Sequence, residues 1–233
     1  MLNNSLKYVI IPAAGIGSRM NLDMPKQYCK LSNNKTVLDT TISKFIDDQF
    51  FDLVIVSLKE NDKSWGVSHF YNHPKVKTCI GGDTRFESVF NALRCVESIA
   101  SNEDWVFVHD AARPAVNLDD IKRLYDCVST SKEKCGILAV KAFETVKQVS
   151  NYSITKTLDR DYIWLAQTPQ LSMFKLIMKA FRFCVDEKLI SKITDEASAL
   201  ELFGVLPKVV EGSRKNIKIT TKEDLEFVNM LLD

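Results

Sequence analysis

Tyr8-Val9-Ile10-Ile11-Pro12-Ala13-Ala14-Gly15-Ile16-Gly17-Ser18-Arg19-Met20 is an apolar run that passes without a spacer into a loop of small residues and glycines, with Pro25-Lys26-Gln27 a little further on. The run reads as a strand. The loop reads as a turn whose backbone N–H groups can close around phosphate oxygens, because small residues let the main chain approach a ligand. Two other phosphate motifs are excluded by the same letters. Met20 stands where a dinucleotide fingerprint needs its third small residue, and no Gly-Lys-Ser/Thr follows to make a P-loop. Arg19 and Lys26 bracket the loop. They read either as solvated loop charges or as the cations that a nucleotidyl transfer requires where two multiply anionic reactants meet at one phosphorus.

Outward from this stretch the pattern repeats. Residues 53–58, 76–80, 105–109 and 137–140 read as further strands, and residues 84–99 as an amphipathic helix with Val89, Phe90, Leu93, Val96 and Ile99 on one face. Strand-helix alternation predicts an α/β fold: a single doubly wound, mostly parallel sheet with ligands beyond the carboxyl ends of its strands. Residues 1–233 read as one domain. Residues 141–161 break the alternation. Val146, Val149, Ile154 and Leu158 are spread among polar residues around Asn151-Tyr152-Ser153, which predicts a hairpin too poor in apolar surface to stand alone, one that either lies on the body or reaches another subunit, the second being the favoured reading. The chain then reads as helices over 173–188 and 194–203, strands over 205–210 and 217–220, and a last helix from Thr221, which has Asp224 at capping-box spacing.

Three more constellations follow strands or open helices. Val106-Phe107-Val108-His109-Asp110-Ala111-Ala112-Arg113 ends an apolar run in a carboxylate, with an arginine three residues on. Asp110 is either a turn residue paired with Arg113 or a ligand for Mg²⁺, which commonly takes one or two carboxylates and completes its shell with water and substrate phosphates. His109 reads as structural, since a phosphate nucleophile is already ionised and needs no base. Gly81-Gly82-Asp83-Thr84-Arg85, with Ser88, lets a base approach the backbone and offers Asp83 and Ser88 to its edge. Asp83 reads equally as the N-cap of the helix that follows. Lys218, within Asn216-Ile217-Lys218-Ile219-Thr220, either snorkels to a sheet edge or serves an anion.

Composition bounds the partners. Lys and Arg number 31 against 30 Asp and Glu, a net charge of +1, so bulk electrostatics predicts neither nucleic-acid nor membrane binding. The first apolar run is too short for a signal-peptide core or a spanning helix, which predicts a cytoplasmic protein. The six cysteines include no C-x-x-C pair and read as reduced, mostly packed thiols. His69 and His73 are spaced i, i+4, but Pro74 interrupts them and no zinc-protease glutamate lies between.

Together these residues closely resemble the 2-C-methyl-D-erythritol 4-phosphate cytidylyltransferase family of the non-mevalonate isoprenoid pathway. The likeness runs nearly end to end, through Ile11 to Tyr28, Gly81-Gly82-Asp83, Val108 to Pro114, Asp159-Arg160, Gln167-Thr168-Pro169-Gln170, Thr194 to Leu200, and Val210-Glu211-Gly212 with Asn216 to Thr220. The resemblance implies a Rossmann-like nucleotidyltransferase fold and Mg²⁺-dependent transfer of CMP from CTP to a small polyol phosphate. It implies that Ala13, Ala14, Gly15 and Gly17 hold the CTP phosphates and ribose, that Gly82, Asp83 and Ser88 read cytosine, and that Arg19 and Lys26 stabilise the transition state. Asp110 would meet both Mg²⁺ and substrate, Arg113, Thr168 and Thr194 would line the polyol pocket, and Lys218 would position the substrate phosphate. The hairpin would be an arm swapped across a homodimer, so that Thr145 and Arg160 complete the neighbouring subunit's site. Glu144 precedes Thr145 where the family pattern has Asp. Some members carry a fused cyclodiphosphate synthase, and the end of this chain at Asp233 predicts a monofunctional protein.

Three rival readings remain. Ribitol 5-phosphate cytidylyltransferases share the fold, but their loop usually reads Ala-Gly-Gly where this chain has Ala13-Ala14-Gly15. A non-catalytic nucleotide-binding protein would not need Arg19, Lys26, Asp110 and Lys218 together. A dinucleotide-dependent oxidoreductase is opposed by Met20 and by the lack of an acidic residue ending the second strand.

Overall fold

The protein is described by a computed structural model that covers residues 5–15 and 24–232. β1 (Lys7–Pro12), β2 (Leu53–Leu58), β3 (Val76–Ile80) and β4 (Trp105–Val108) are four parallel strands, and the alternation of their side chains builds two cores. Val9, Ile11, Val54, Val56, Trp105 and Phe107 enter one core, and Tyr8, Ile10, Ile55, Val106 and Val108 enter the other. A strand buried on both faces is apolar along nearly all its length, which is why β1, β2 and β4 read as near-continuous apolar runs, whereas β3 at the sheet edge is largely exposed. α1 (Val37–Ile46) and α3 (Leu118–Thr130) cover the first face with Leu38, Ile42, Phe45, Ile121, Leu124 and Val128. The second face is covered by α2 (Arg85–Val96) and α4 (Phe174–Asp186) through Val89, Leu93, Val96, Ile177 and Phe181.

The seven-stranded sheet has the order β3-β2-β1-β4-β8-β5-β9, where β5 is Cys135–Lys141, β8 Trp164–Met173 and β9 Lys208–Glu211. β8 runs antiparallel to both β4 and β5, and the other pairs are parallel. The chain winds from β1 outward to β2 and β3, then crosses back to place β4 on the opposite side of β1. Strand order therefore reverses between β1 and β4, and the crevice beyond their carboxyl ends is where a doubly wound sheet receives ligands.

Two elements depart from the expected order. β8 was not anticipated, since Gln167, Thr168, Pro169, Gln170 and Ser172 make it polar and a proline argues against a central strand. Residues 217–220 are not a strand either. They form an extended strap that leaves the sheet, tied by the Ile219 N–H to Ala112 O at 2.8 Å and packed through Ile219 on Ala112 and on Val228 of α6 (Lys222–Leu232).

β6 (Val146–Ser150) and β7 (Ser153–Leu158) form the hairpin, a separate two-stranded ribbon. Asn151 and Tyr152 turn it with φ of 48° and 62°, the two positive values that a type I′ turn needs to match strand twist. Nearly every ribbon residue is exposed. Among the described residues no helix is long and apolar enough to cross a membrane.

Candidate functional site

β1 delivers its loop to the crevice, and Gln27 fixes where that loop begins. Its side chain is buried, and Nε2 donates to Ala13 O at 2.7 Å and Gly15 O at 2.9 Å, so one amide spans the turn. Opposite, the Gly81-Gly82 turn leaves β3. A Cβ on Gly81 would stand 2.6 Å from the Ala14 Cβ, so glycine there lets the two turns close on each other, and one on Gly82 would stand 2.3 Å from the Glu87 Cβ, so glycine there lets the turn lie against the start of α2. Ser88 braces the same turn, accepting from the Gly82 N–H at 3.1 Å.

The helix cap is Thr84 and not Asp83. Thr84 Oγ1 accepts from the Glu87 N–H, and the Glu87 carboxylate accepts from the Thr84 N–H, a complete capping box. Asp83 is thereby released from the backbone and stands exposed at the cleft.

The floor of the cleft is Asp110, just beyond the end of β4 and buried. Its N–H donates to Thr168 Oγ1 at 3.0 Å, and Thr168 Oγ1 lies 3.1 Å from His109 Nδ1. His109 Nε2 lies 3.1 Å from Arg113 O, which can only accept, so Nε2 carries the proton and Nδ1 receives the Thr168 hydroxyl. Burial lowers His109 to about 4, so the ring stays neutral and serves as a strut.

Three cations surround the Asp110 carboxylate. Arg85 Nε is 3.0 Å from Oδ1, and Lys218 Nζ and Arg113 Nε are 2.8 and 3.5 Å from Oδ2. Burial alone would raise this carboxyl, but the Arg85, Lys218 and Arg113 charges hold it well below the usual carboxylate range. Arg113 also donates to Asn216 O at 2.6 Å, and Lys26 donates to Ile219 O at 2.8 Å, so both ends of the strap carrying Lys218 are pinned.

The structure brings Ala13, Ala14, Gly15, Lys26, Gly82, Asp83, Ser88, Asp110 and Lys218 around one cleft. Arg113 and Thr168 stand behind Asp110 as braces. Thr194 lies next door, exposed, in a hollow that shares Thr84 and Arg85 with the cleft and includes Asp195 and Glu196. Thr145 and Arg160 are exposed on the arm and do not line the cleft of their own chain; Arg160 Nη1 donates to Phe143 O at 2.5 Å. Gly17 and Arg19 lie outside the described residues.

Sequence reading missed Gln27, Arg85 and Glu196. Gln27 and Glu196 are polar groups whose burial only tertiary structure reveals, and the Arg85–Glu196 pair joins residues 111 positions apart. Among the described residues no cluster of three or more His, Cys, Asp or Glu could cage a metal ion. Asp110 is a hard donor with lone pairs left beyond its three cations, so the donor set fits Mg²⁺ only when substrate phosphates complete its shell.

A turn of small residues after β1, an exposed carboxylate beside a glycine turn and lysines at the switch point are the parts of a nucleotidyltransferase, and comparison with known proteins agrees. The chain matches the family model of 2-C-methyl-D-erythritol 4-phosphate cytidylyltransferase over residues 7–233. It is 39% identical over 235 residues to the protein of that name from Vesicomyosocius okutanii subsp. Calyptogena okutanii (strain HA), spanning 97% of this chain and 96% of the relative. With the one from Ruthia magnifica subsp. Calyptogena magnifica it shares 38% over 233 residues, 97% of this chain and 96% of that protein. The crystal structure of Francisella tularensis 2-C-methyl-D-erythritol 4-phosphate cytidylyltransferase superposes with a TM-score of 0.88 at 56% identity, covering 97% of this chain and 100% of that one. The chain belongs to the 2-C-methyl-D-erythritol 4-phosphate cytidylyltransferase family.

Proposed function

We propose that this protein transfers CMP from CTP to 2-C-methyl-D-erythritol 4-phosphate, giving 4-diphosphocytidyl-2-C-methyl-D-erythritol and pyrophosphate. The observation that carries this reading is the convergence of the Ala13-Ala14-Gly15 turn, the Gly82-Asp83 turn, Lys26, Asp110 and Lys218 on one cleft at the switch point. A phosphate oxygen of the polyol phosphate attacks the α-phosphorus of CTP in line, a new P–O bond forms, and the bond to pyrophosphate breaks. No proton moves. The protein's task is position and charge.

The backbone at Ala13, Ala14 and Gly15, continued by Gly17, receives the triphosphate. Gly82, Asp83 and Ser88 bind the cytosine edge, with Asp83 accepting from its amino group. Lys26 and Arg19 neutralise the charge that builds on the equatorial oxygens, and Lys218 holds the incoming phosphate. Asp110 directs Lys218 and meets the polyol, and Thr194 lines the polyol's hollow, with Arg113 and Thr168 bracing Asp110. Asp110 would hold Mg²⁺ together with the triphosphate, and the ion would supply neutralisation of phosphate charge. Thr145 and Arg160 reach the cleft of a second copy in a homodimer whose arms are exchanged. The nucleotide substrate sets the reaction in the cytoplasm.

Incubation with CTP and Mg²⁺ plus either methylerythritol phosphate or ribitol 5-phosphate tests the assignment through pyrophosphate release. Release with the first substrate alone is expected. Release with ribitol phosphate alone would overturn the substrate, and CTP binding without turnover on either would leave a nucleotide-binding protein.

A further inference from the structure

Arg85 and Glu196 carry no step of the reaction, yet they occupy its centre. Arg85 Nη1 and Nη2 donate to Glu196 Oε1 and Oε2 at 2.6 and 3.0 Å, while Nε donates to Asp110 Oδ1 at 3.0 Å. Each nitrogen of the guanidinium thus gives one hydrogen bond to one of the two carboxylates. Glu196 is 2% exposed, and a buried carboxylate is costly unless paired, so its place is explained by Arg85. The two carboxylates hang from one strand: Thr168 of β8 accepts from the Asp110 N–H, and Gln170 grips the start of α5 (Glu196–Leu202) through Asp195 Oδ2 and the Ala197 N–H, each at 2.8 Å. Arg85 is the fork between them. It also separates the nucleotide cleft from the hollow that contains Thr194.

We infer that the Arg85–Glu196 pair is a positioning device that fixes the rotation of the Asp110 carboxylate and thereby keeps Lys218 fit to receive the substrate phosphate. The inference rests on the cytidylyltransferase reading. Lys218 meets Oδ2 alone, because Oδ1 is turned to Arg85. Without that hold the carboxylate turns about its Cβ–Cγ bond, presents both oxygens to Lys218 and Arg113, and withdraws the Lys218 charge from a phosphate. Glu196 contributes by locking the guanidinium plane so that Nε, and no other donor, faces Asp110. Lysine cannot substitute for Arg85, since a point charge with a single nitrogen does not span two carboxylates.

The test is steady-state kinetics of Arg85→Lys, with kcat expressed per CTP-binding site counted by titration calorimetry. The expected result is a fall in kcat of about 10- to 100-fold and a raised KM for the polyol phosphate, with KM for CTP within about threefold of wild type. In a Lys218→Ala background the same substitution should cost less than about threefold, because its effect passes through Lys218. Arg85→Met with Glu196→Met removes both charges together and guards against a folding failure; it should show the same split. Parameters within about twofold of wild type in the double variant, or equal losses in both KM values, would overturn the positioning role. A wild-type protein that releases no pyrophosphate with methylerythritol phosphate would instead overturn the reaction, and the role with it.

Discussion

A triphosphate and a phosphate monoester repel each other, so at the scale of single residues the proposed chemistry stands or falls with a few cations. Lys26 and Lys218 face the cleft, and Asp110 orders the charges around it. Lys26→Ala or Arg19→Ala should lower kcat by ~10²-fold or more, the loss seen when a charge that acts on the transition state is removed. The far-ultraviolet spectrum should not change, and near-normal turnover in both variants would remove them from the reaction. Asp110→Asn should raise the Mg²⁺ concentration at half-maximal activity several-fold, because an amide is the poorer ligand for a hard cation. Activity at saturating Mg²⁺ should fall as well, since three cations then lose the charge that balances them. An unaltered Mg²⁺ titration would leave Asp110 as an organiser of Lys218 and no more.

At the scale of elements, α2 separates two jobs that its first residues seemed to share. Thr84 caps the helix and Asp83 faces the cleft, so stability and nucleotide binding should come apart on mutation. Thr84→Ala should cost about 1 kcal/mol, the usual worth of a cap, and lower Tm by roughly 2–4 °C in a chain of this size. Asp83→Ala should leave Tm unchanged and raise KM for CTP; the opposite pattern in differential scanning and kinetics would restore Asp83 as the cap. The same comparison shows what sequence can carry. β1, β2 and β4 were legible because burial on two faces demands near-continuous apolar runs, and the capping box at Thr221 and Asp224 was legible because it is local, with Thr221 Oγ1 accepting from the Asp224 N–H at 3.2 Å. β8 was not, because Gln167, Thr168 and Gln170 are buried polar groups that bond to Ser213, Asp110 and Asp195, partners up to 58 residues away. Residues 217–220 alternate like a strand and yet serve as a strap, since their partners are the ends of other elements. Most of the cleft was readable, as its motifs follow strands; the Arg85–Glu196 bridge, which no local pattern encodes, was not.

At the scale of the whole molecule the arm decides whether one chain makes a complete site. Its ribbon leaves Val149, Tyr152 and Ile154 exposed, and an isolated two-stranded hairpin is marginal in water, so the proposed homodimer would give it support. Arg160 sits at the base of this ribbon, clear of its own cleft, whereas Lys26 and Lys218 line that cleft. If the homodimer exchanges arms, each working site combines Lys26 and Lys218 of one chain with Arg160 of the other. Lys26→Ala and Arg160→Ala, each inactive alone, should then complement. A mixed dimer has one site with both lesions and one with neither. After equal, random exchange of subunits about half the dimers are mixed, so activity should return to roughly a quarter of wild type. If Arg160 served its own chain, every site in every dimer would keep a lesion. Exchange is verified independently by native mass spectrometry of differently tagged chains, and no recovery of activity in a verified mixture would rule out the shared site.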